Sequence, residues 1–271
     1  MSAGRFTLSL DRPLVMGVVN VTPDSFADGG RYLDPAAASD HARRLVEEGA
    51  DIVDIGAEST RPGAAPVPEE EELRRIVPVL EGLHDLDRPI SVDTRRLRVM
   101  KAALAAGASM INDVGAFAEP YSLLSVAQSG CAVCLMHMKG TPATMQREPH
   151  YADVVAEVKA FLKEAVRRAK FSGIREDRIV IDPGFGFGKT VQHNLTLLGH
   201  LGEFAELGVP VLAGLSRKST VGWITGRPVH ERLAGSLAMA LLAIQRGAKI
   251  VRVHDVKETK DVIAVWEAVR Q

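Results

Sequence analysis

The sequence predicts one α/β domain spanning residues 1–271, a single (β/α)8 or TIM barrel. Three observations carry this expectation. Eight apolar runs recur along the chain, each ending in a polar or charged residue. Helix-like stretches, several stopped by glycine, separate them. The length of 271 residues and the 46% hydrophobic content suit one barrel of roughly 250 residues with a full core.

The runs are residues 15–20, 52–54, 90–93, 110–113, 132–137, 179–182, 211–216 and 250–254, with polar tips Asn20, Asp54, Asp93, Asp113, His137, Asp182, Ser216 and His254. Buried parallel strands read as near-continuous apolar runs of this kind. In a (β/α)8 barrel the carboxyl ends of the strands build the active site, so the tips are expected at one mouth. Helices are expected over 35–49, 69–83, 95–106, 119–129, 151–171, 191–207, 230–247 and 256–270. In the fifth, Val154, Val155, Val158, Phe161, Leu162, Ala165 and Val166 keep the helical spacing. Gly49, Gly107, Gly130, Gly173, Gly208 and Gly247 stand where a left-handed residue commonly ends a helix. The alternation implies a parallel sheet. Eight units favour closure over an open doubly wound sheet, and no G-x-G-x-x-G opens the first helix.

Charge and composition narrow the function. Lys and Arg total 33 against 34 Asp and Glu, a net charge of −1, without a basic stripe, so a nucleic-acid surface is not expected. No apolar stretch approaches a membrane span, and the first residues lack a signal-peptide core. A cytoplasmic protein is expected. Cys131 and Cys134 form a C-x-x-C pair. On a strand, positions three apart face opposite sides, which argues against a redox or metal pair.

Two polar segments, residues 22–34 and 57–68, are expected as long loops over the mouth. The segment Asp182 to Thr190 approaches G-x-x-x-x-G-K-[ST] but has Pro183 where glycine is required. Proline removes a backbone donor, so a phosphate loop is set aside. A flexible turn that lets a flat ligand approach, with Phe187 available to stack, is the better reading.

Asp93, Asn112, Asp182 and Lys218 lie at or just beyond four strand ends. Together they offer acceptors and donors suited to the edge of a heteroaromatic ring. Asp93 precedes a helix and could instead cap it. Arg252 and His254 alternate on the last strand and could meet a phosphate group. Arg252 could equally be half of a buried ion pair, with an acid such as Asp54. Asn20 could help hold Mg2+, which takes waters and substrate phosphates rather than a protein cage. His137 is expected to be structural rather than a base.

The segments MGVVNVTPDSFADGG (16–30), DIGAESTRPGA (54–64), SVDT (91–94), IND (111–113), HMKGTPATMQ (137–146), DPGFGFGK (182–189), SRK (216–218) and RVHDV (252–256) resemble the dihydropteroate synthase family. The resemblance runs in order through nearly the whole chain. It implies a transferase of folate biosynthesis that joins (7,8-dihydropterin-6-yl)methyl diphosphate to 4-aminobenzoate, that sulfonamides inhibit, and that forms a homodimer. It further implies pterin contacts from Asp93, Asn112, Asp182 and Lys218, with Met136 and Phe187 near the ring. The diphosphate would meet Asn20 with Mg2+, Arg252, His254 and Thr60. The 4-aminobenzoate would sit among Phe26, Thr60, Pro62, Ser216, Arg217 and Lys218. Asp93, Lys218 and Arg252 are the residues implied for catalysis. Ala57 and Lys139 depart from the family pattern without touching a carried-over group.

Three other readings share features with this one. A pterin-binding methyltransferase barrel would use the same ring contacts but would not need the NVTPDSF (20–26) and ESTRPGA (58–64) loops or the Arg252 and His254 pair. A pterin-binding protein without turnover could lack Asp93 or Arg252, yet both are present. A phosphate-sugar isomerase would not need the ring-edge set.

Overall fold

Eight parallel strands, Leu14–Asn20 (β1), Ile52–Gly56 (β2), Ile90–Asp93 (β3), Met110–Asp113 (β4), Ala132–Met136 (β5), Ile179–Asp182 (β6), Leu212–Ala213 (β7) and Ile250–Val253 (β8), alternate with helices along the chain. The computed structural model describes residues 1–22, 34–59, 64 and 66–270. The strands pair in the order β6-β5-β4-β3-β2-β1-β8-β7. A bridge between Ile181 of β6 and Val211, one residue before β7, joins the two ends. The Ile181 amide also donates to the Pro210 carbonyl at 3.0 Å. The sheet is therefore a closed barrel, and the open alternative falls.

Strand register sorts the side chains into two layers. Val15, Val19, Val53, Ile55, Val92, Ile111, Val133, Leu135, Ile181 and Val251 face outward and join the main core under the helices. Leu14, Met16, Ile52, Met110, Ala132, Cys134, Val180, Leu212 and Ile250 face inward and fill the barrel. That inner cluster occupies only the lower part of the strands. Above it the inward positions turn polar: Asn20, Asp54, Ser91, Asp93, Asn112, Asp182 and Arg252. The floor is apolar and the mouth is polar, which places the chemistry at the carboxyl ends of the strands.

This register corrects one expectation. The eight polar tips do not all converge, because strand side chains alternate faces. Asp113 and His137 fall on outward positions, and their neighbours Asn112 and Met136 point inward instead. Asp113 accepts from the Gly115 and Phe117 amides at 2.7 Å each and shapes the loop after β4. Cys131 belongs to the outer core and Cys134 to the inner one, so the C-x-x-C pair is split between layers and both thiols are free.

Nine α-helices are described: Pro35–Glu47 (α1), Glu69–Gly82 (α2), Leu97–Ala105 (α3), Ser122–Ala127 (α4), Val154–Phe171 (α5), Val191–Gly199 (α6), Ser219–Thr225 (α7), Leu233–Gln245 (α8) and Val256–Val269 (α9). The glycine stops hold: Gly49, Gly107, Gly130, Gly173, Gly208 and Gly247 all take positive φ. α5 begins where the Asp153 carboxylate accepts from the Val155 and Ala156 amides, a cap contributing about 1 kcal/mol. Its buried face is Val154, Val158, Leu162, Ala165 and Ala169. Phe161, counted among its apolar positions, stands partly exposed.

Other boundaries moved for local reasons. The helix expected over 191–207 breaks after Gly199 into a 3-10 segment, Leu201–Leu207. α3 starts at Leu97 because Arg96 is extended. α7 was not expected, since STVGWIT is short, β-branched and carries Gly222. That glycine has a packing reason: a Cβ there would lie 2.1 Å from an Arg232 guanidinium nitrogen. A hairpin of Ser2–Ala3 with Phe6–Thr7 was also missed, each strand being two residues long. Its Ala3, with Met1, Leu8 and Leu10, packs on the inner core.

Candidate active site

Arg252 occupies the inward face of β8 and reaches two acids on neighbouring strands. Its Nε lies 2.6 Å from Asp54 Oδ2 on β2, and its Nη2 lies 3.2 Å from Asp93 Oδ2 on β3. Asn112 on β4 donates its Nδ2 to the same Asp54 oxygen at 3.2 Å. Asp54 is fully buried and is the hub of this group. Its Oδ1 and the Ser91 hydroxyl, register partners on β2 and β3, have no hydrogen-bond partner among the described residues. Burial works against the Arg252 charge, but Asp54 and Asp93 more than offset it and hold its pKa above the ordinary value. The ion pair weighed from the sequence is therefore formed. Asp93 faces Arg252 rather than capping α3, whose cap position is Arg96.

Asp93 is a carboxylate under tension. Burial pushes its pKa up to about 7, Arg252 pulls it down, and Asp54 and Asp113 push it up again. Across the mouth, burial lowers Lys218 to about 8 while Asp182 opposes the shift. Asp182 itself is raised by burial, with Lys218 opposing. An acid and an amine, both brought near neutrality from opposite sides, mark a functional site more often than a structural one.

Gly214, just beyond β7, shows how closely these groups meet. A Cβ built there would lie 3.8 Å from Lys218 Nζ, 3.9 Å from Asp182 Oδ2 and 3.8 Å from Arg252 Cβ. Glycine leaves no side chain between them. The Asp182 carboxylate and the Lys218 amine stand on this side of Arg252, and Asp54, Asp93 and Asn112 gather about its guanidinium. Met136, buried at the inward end of β5, pairs in register with Asp182 and adds an apolar wall.

The turn after β6 supplies the rest. Asp182 Oδ1 accepts from the Gly184 amide at 2.7 Å, which leaves Oδ2 as its freer oxygen. Lys218 donates to the Phe185 carbonyl, and its Nζ stands 4.6 Å from the Phe187 ring centroid. Phe187 is half-buried. Expected as flexible, the turn is instead held at every carbonyl from Gly184 to Gly188. Lys189, which no reading of the sequence singled out, makes two of those bonds. The signal in the sequence is the near-match to a phosphate loop, in which position 189 is the lysine.

The segment before α7 orients Lys218. Arg217 takes φ +56, and its amide donates to Ser236 Oγ at 2.9 Å. The Arg217 and Lys218 carbonyls accept from Arg232 at 3.0 and 3.4 Å. The Arg217 guanidinium is engaged by Asp255. Ser216 Oγ lies 3.0 Å from His254 Nδ1, which ties the ends of β7 and β8 together. Asn20 ends β1 on an inward position. His137 is buried at 4.9 Å from the Phe161 ring, edge-on, on an outward position of the barrel, and burial lowers its pKa to about 3. Phe26, Thr60 and Pro62 lie outside the described residues.

A family model described as "Pterin binding enzyme" matches residues 16–254. The dihydropteroate synthase of Neisseria meningitidis serogroup B is 52% identical over 273 residues, covering 98% of this chain and 96% of that protein. The chain belongs to the dihydropteroate synthase family of pterin-binding enzymes. The fold agrees at the same level. A Yersinia pestis dihydropteroate synthase, solved with a sulfonamide drug complex, superposes with a TM-score of 0.96 at 46% identity, covering 100% of this chain and 98% of that one. The Xanthomonas albilineans dihydropteroate synthase in complex with 7,8-dihydropteroate gives a TM-score of 0.88 at 54% identity, covering 97% and 95%. The dihydropteroate synthase architecture is thus common to all three chains, and the mouth described above lies in its barrel.

Proposed function

We propose that the mouth takes (7,8-dihydropterin-6-yl)methyl diphosphate and 4-aminobenzoate and releases 7,8-dihydropteroate and pyrophosphate. The observation that carries this reading is the set of complementary groups at the mouth, with Asp182 and Lys218 beside Gly214 and Asn112 beside Asp54. A pterin edge presents ring donors and acceptors together, and Asp182, Asn112 and Lys218 answer both. The complex of the Xanthomonas albilineans relative with 7,8-dihydropteroate supports the same ligand class.

The chemistry follows from charge. The C–O bond between the exocyclic methylene and the diphosphate breaks, and its electron pair leaves with pyrophosphate. The pterin ring stabilises the resulting cation, and the Asp93 carboxylate, when ionised, stabilises it further. The amine nitrogen of 4-aminobenzoate forms the new C–N bond and releases one proton. Its lone pair is free at neutral pH, so no strong base is needed. Arg252 provides positive charge on the same face of β8 as His254, where the departing diphosphate would be received.

Mg2+ fits this reading in a limited way. Among the described residues no group of three or more His, Cys, Asp or Glu could hold a metal. A lone amide at Asn20 fits a cation whose remaining ligands are water and diphosphate oxygens. When bound, the ion would neutralise charge on the leaving group.

Phe26, Thr60, Pro62, Ser216 and Arg217 complete the reading as the surroundings of 4-aminobenzoate. A homodimer belongs to it as well, supported by exposed apolar side chains on α7 and α8, among them Trp223 at 71% exposure and Ile224 at 50%. Among the described residues no helix is long and apolar enough to cross a membrane. Mass spectrometry tests the function. 7,8-Dihydropteroate should appear when the protein meets both substrates and should form more slowly with Asp182→Ala at limiting pterin diphosphate. Its absence with the unmodified protein would overturn the reading.

A further inference from the structure

Lys189 carries an amine sealed inside the barrel wall, 2% exposed, one residue before the cap of α6. Its Nζ contacts His137 Nδ1 at 2.9 Å, the Gly184 carbonyl at 2.9 Å and the Phe187 carbonyl at 3.0 Å. The His137 carbonyl lies further off, at 3.4 Å. An ammonium would donate to all three nearer groups. A neutral amine would donate to the two carbonyls and accept from a protonated Nδ1. The cluster is satisfied in either state.

The two carbonyls belong to the turn that carries the pterin side of the mouth. The same turn is pressed against the exit of β5. At Gly184, with φ +71, a Cβ would lie 1.8 Å from the His137 carbonyl oxygen. At Gly188, with φ +63, it would lie 2.3 Å from that of Lys139. Glycine lets the backbone come this close, and such a backbone needs something to hold it. Asn194 Oδ1 takes the Gly186 amide at 2.7 Å, Gln146 donates to the Gly186 carbonyl at 2.7 Å, and Tyr151 donates to that of Gly188 at 2.8 Å. Lys189 supplies the donors from inside the turn, and Lys218 grips the Phe185 carbonyl between them.

We propose that Lys189 is a positioning residue for pterin recognition. It sets the turn from Pro183 to Gly188 so that the Phe185 carbonyl meets Lys218 and the Phe187 ring lies against it. Through Gly184, whose amide is held by Asp182 Oδ1, it also fixes the orientation of that carboxylate. The inference rests on the proposed function and adds a residue to it.

The physical argument is one of satisfied groups. An apolar side chain at 189 would fill the space without the cost of burying an amine. It would also leave the Phe187 carbonyl without its donor, and Gly184 with only the Phe187 amide at 3.1 Å. The turn would relax, and Lys218 would lose its seat. Lys189 touches no open part of the mouth, so its effect on a ligand must pass through Lys218 and Asp182.

A double-mutant cycle tests this. Binding of 7,8-dihydropteroate is measured by calorimetry for the unmodified protein, Lys189→Met, Lys218→Met and the double variant, with thermal melts confirming folding. Lys189→Met should weaken binding by about tenfold or more when Lys218 is present. In the Lys218→Met background the same change should have a clearly smaller effect. In turnover, KM for the pterin diphosphate should rise while KM for 4-aminobenzoate stays near its original value. Lys189→Gln, which retains two N–H donors, should recover part of the affinity, and it carries the cycle if Lys189→Met does not fold. Equal losses in both backgrounds, or unchanged affinity, would overturn the positioning role. If the unmodified protein bound no 7,8-dihydropteroate, the functional reading would fall first, and this inference with it.

Discussion

Arg252 Nε and the Oδ2 of fully buried Asp54 are 2.6 Å apart, and this pair organises the polar half of the barrel. Asp54 also receives Asn112, and Arg252 also reaches Asp93, so four strands are tied through one carboxylate and one guanidinium. Removing Asp54 would leave Arg252 only its longer contact to Asp93 and would leave the Asn112 amide without its acceptor. Asp54→Ala should cost about 3–5 kcal/mol of stability, read as a lower urea midpoint at unchanged slope. A loss below about 1 kcal/mol, the scale of an exposed pair, would mean that Asp54 carries little of the mouth.

Arg252 faces two demands, holding Asp54 and Asp93 and meeting the leaving group. Arg252→Ala should weaken pyrophosphate binding more than binding of a bare pterin. Calorimetry with each ligand on the folded variant separates the roles. Equal losses would reduce Arg252 to the ion pair alone.

The acid and amine of the mouth predict a narrow pH range. Asp93 is pushed up to about 7 and Lys218 down to about 8, in both cases chiefly by burial. Below about 7 Asp93 gains a proton and loses the charge that stabilises the cation. Above about 8 Lys218 loses the proton it donates. The pH profile of kcat/KM for the pterin diphosphate should therefore fall on both sides of that window. The linkage sign is the reverse of an ordinary ion-paired carboxylate. Asp93 keeps in the folded state a proton it would release near 3.8 when unfolded, so its contribution to stability declines as pH rises from about 4 to about 7. Asp93→Asn should remove both the acid limb and that decline. An acid limb centred near 4 in the unmodified protein would contradict the assignment.

Much of this was legible because period and chemistry coincide on strands. Apolar runs located every barrel strand, and Asp93, Asn112, Asp182 and Arg252 sit on inward positions as their chemistry requires. What escaped was the direction of a side chain at a strand's last residue. Asp113 and His137 end their strands as polar tips yet face outward, because a single position decides the face. Lys189 escaped because its role lies in backbone carbonyls brought together by three left-handed glycines, which residue identity does not show. α7 escaped because its helix is set by Arg232 and Gly222 rather than by propensity.

Asp182 has one oxygen committed to the Gly184 amide and the other near Gly214, on the side of Lys218 and Arg252. Asp182→Ala should cost on the order of 1–3 kcal/mol or more in pterin affinity, since ring donors would be left unpaired. Calorimetry on the folded variant reads this directly, and an unchanged affinity would remove Asp182 from the pterin contacts.

The segments around Phe26 and Pro62 predict an order of binding. Phe26→Ala or Pro62→Ala should harm use of 4-aminobenzoate and spare pterin binding. A sulfonamide should bind tightly only with pyrophosphate or the pterin diphosphate present. Equally tight binding to the protein alone would point to a preformed pocket.

The central claim is tested most directly by pyrophosphate release from (7,8-dihydropterin-6-yl)methyl diphosphate with and without 4-aminobenzoate. The predicted result is release that depends on 4-aminobenzoate and matches 7,8-dihydropteroate mole for mole. No release, or release at the same rate without the amine, would contradict it.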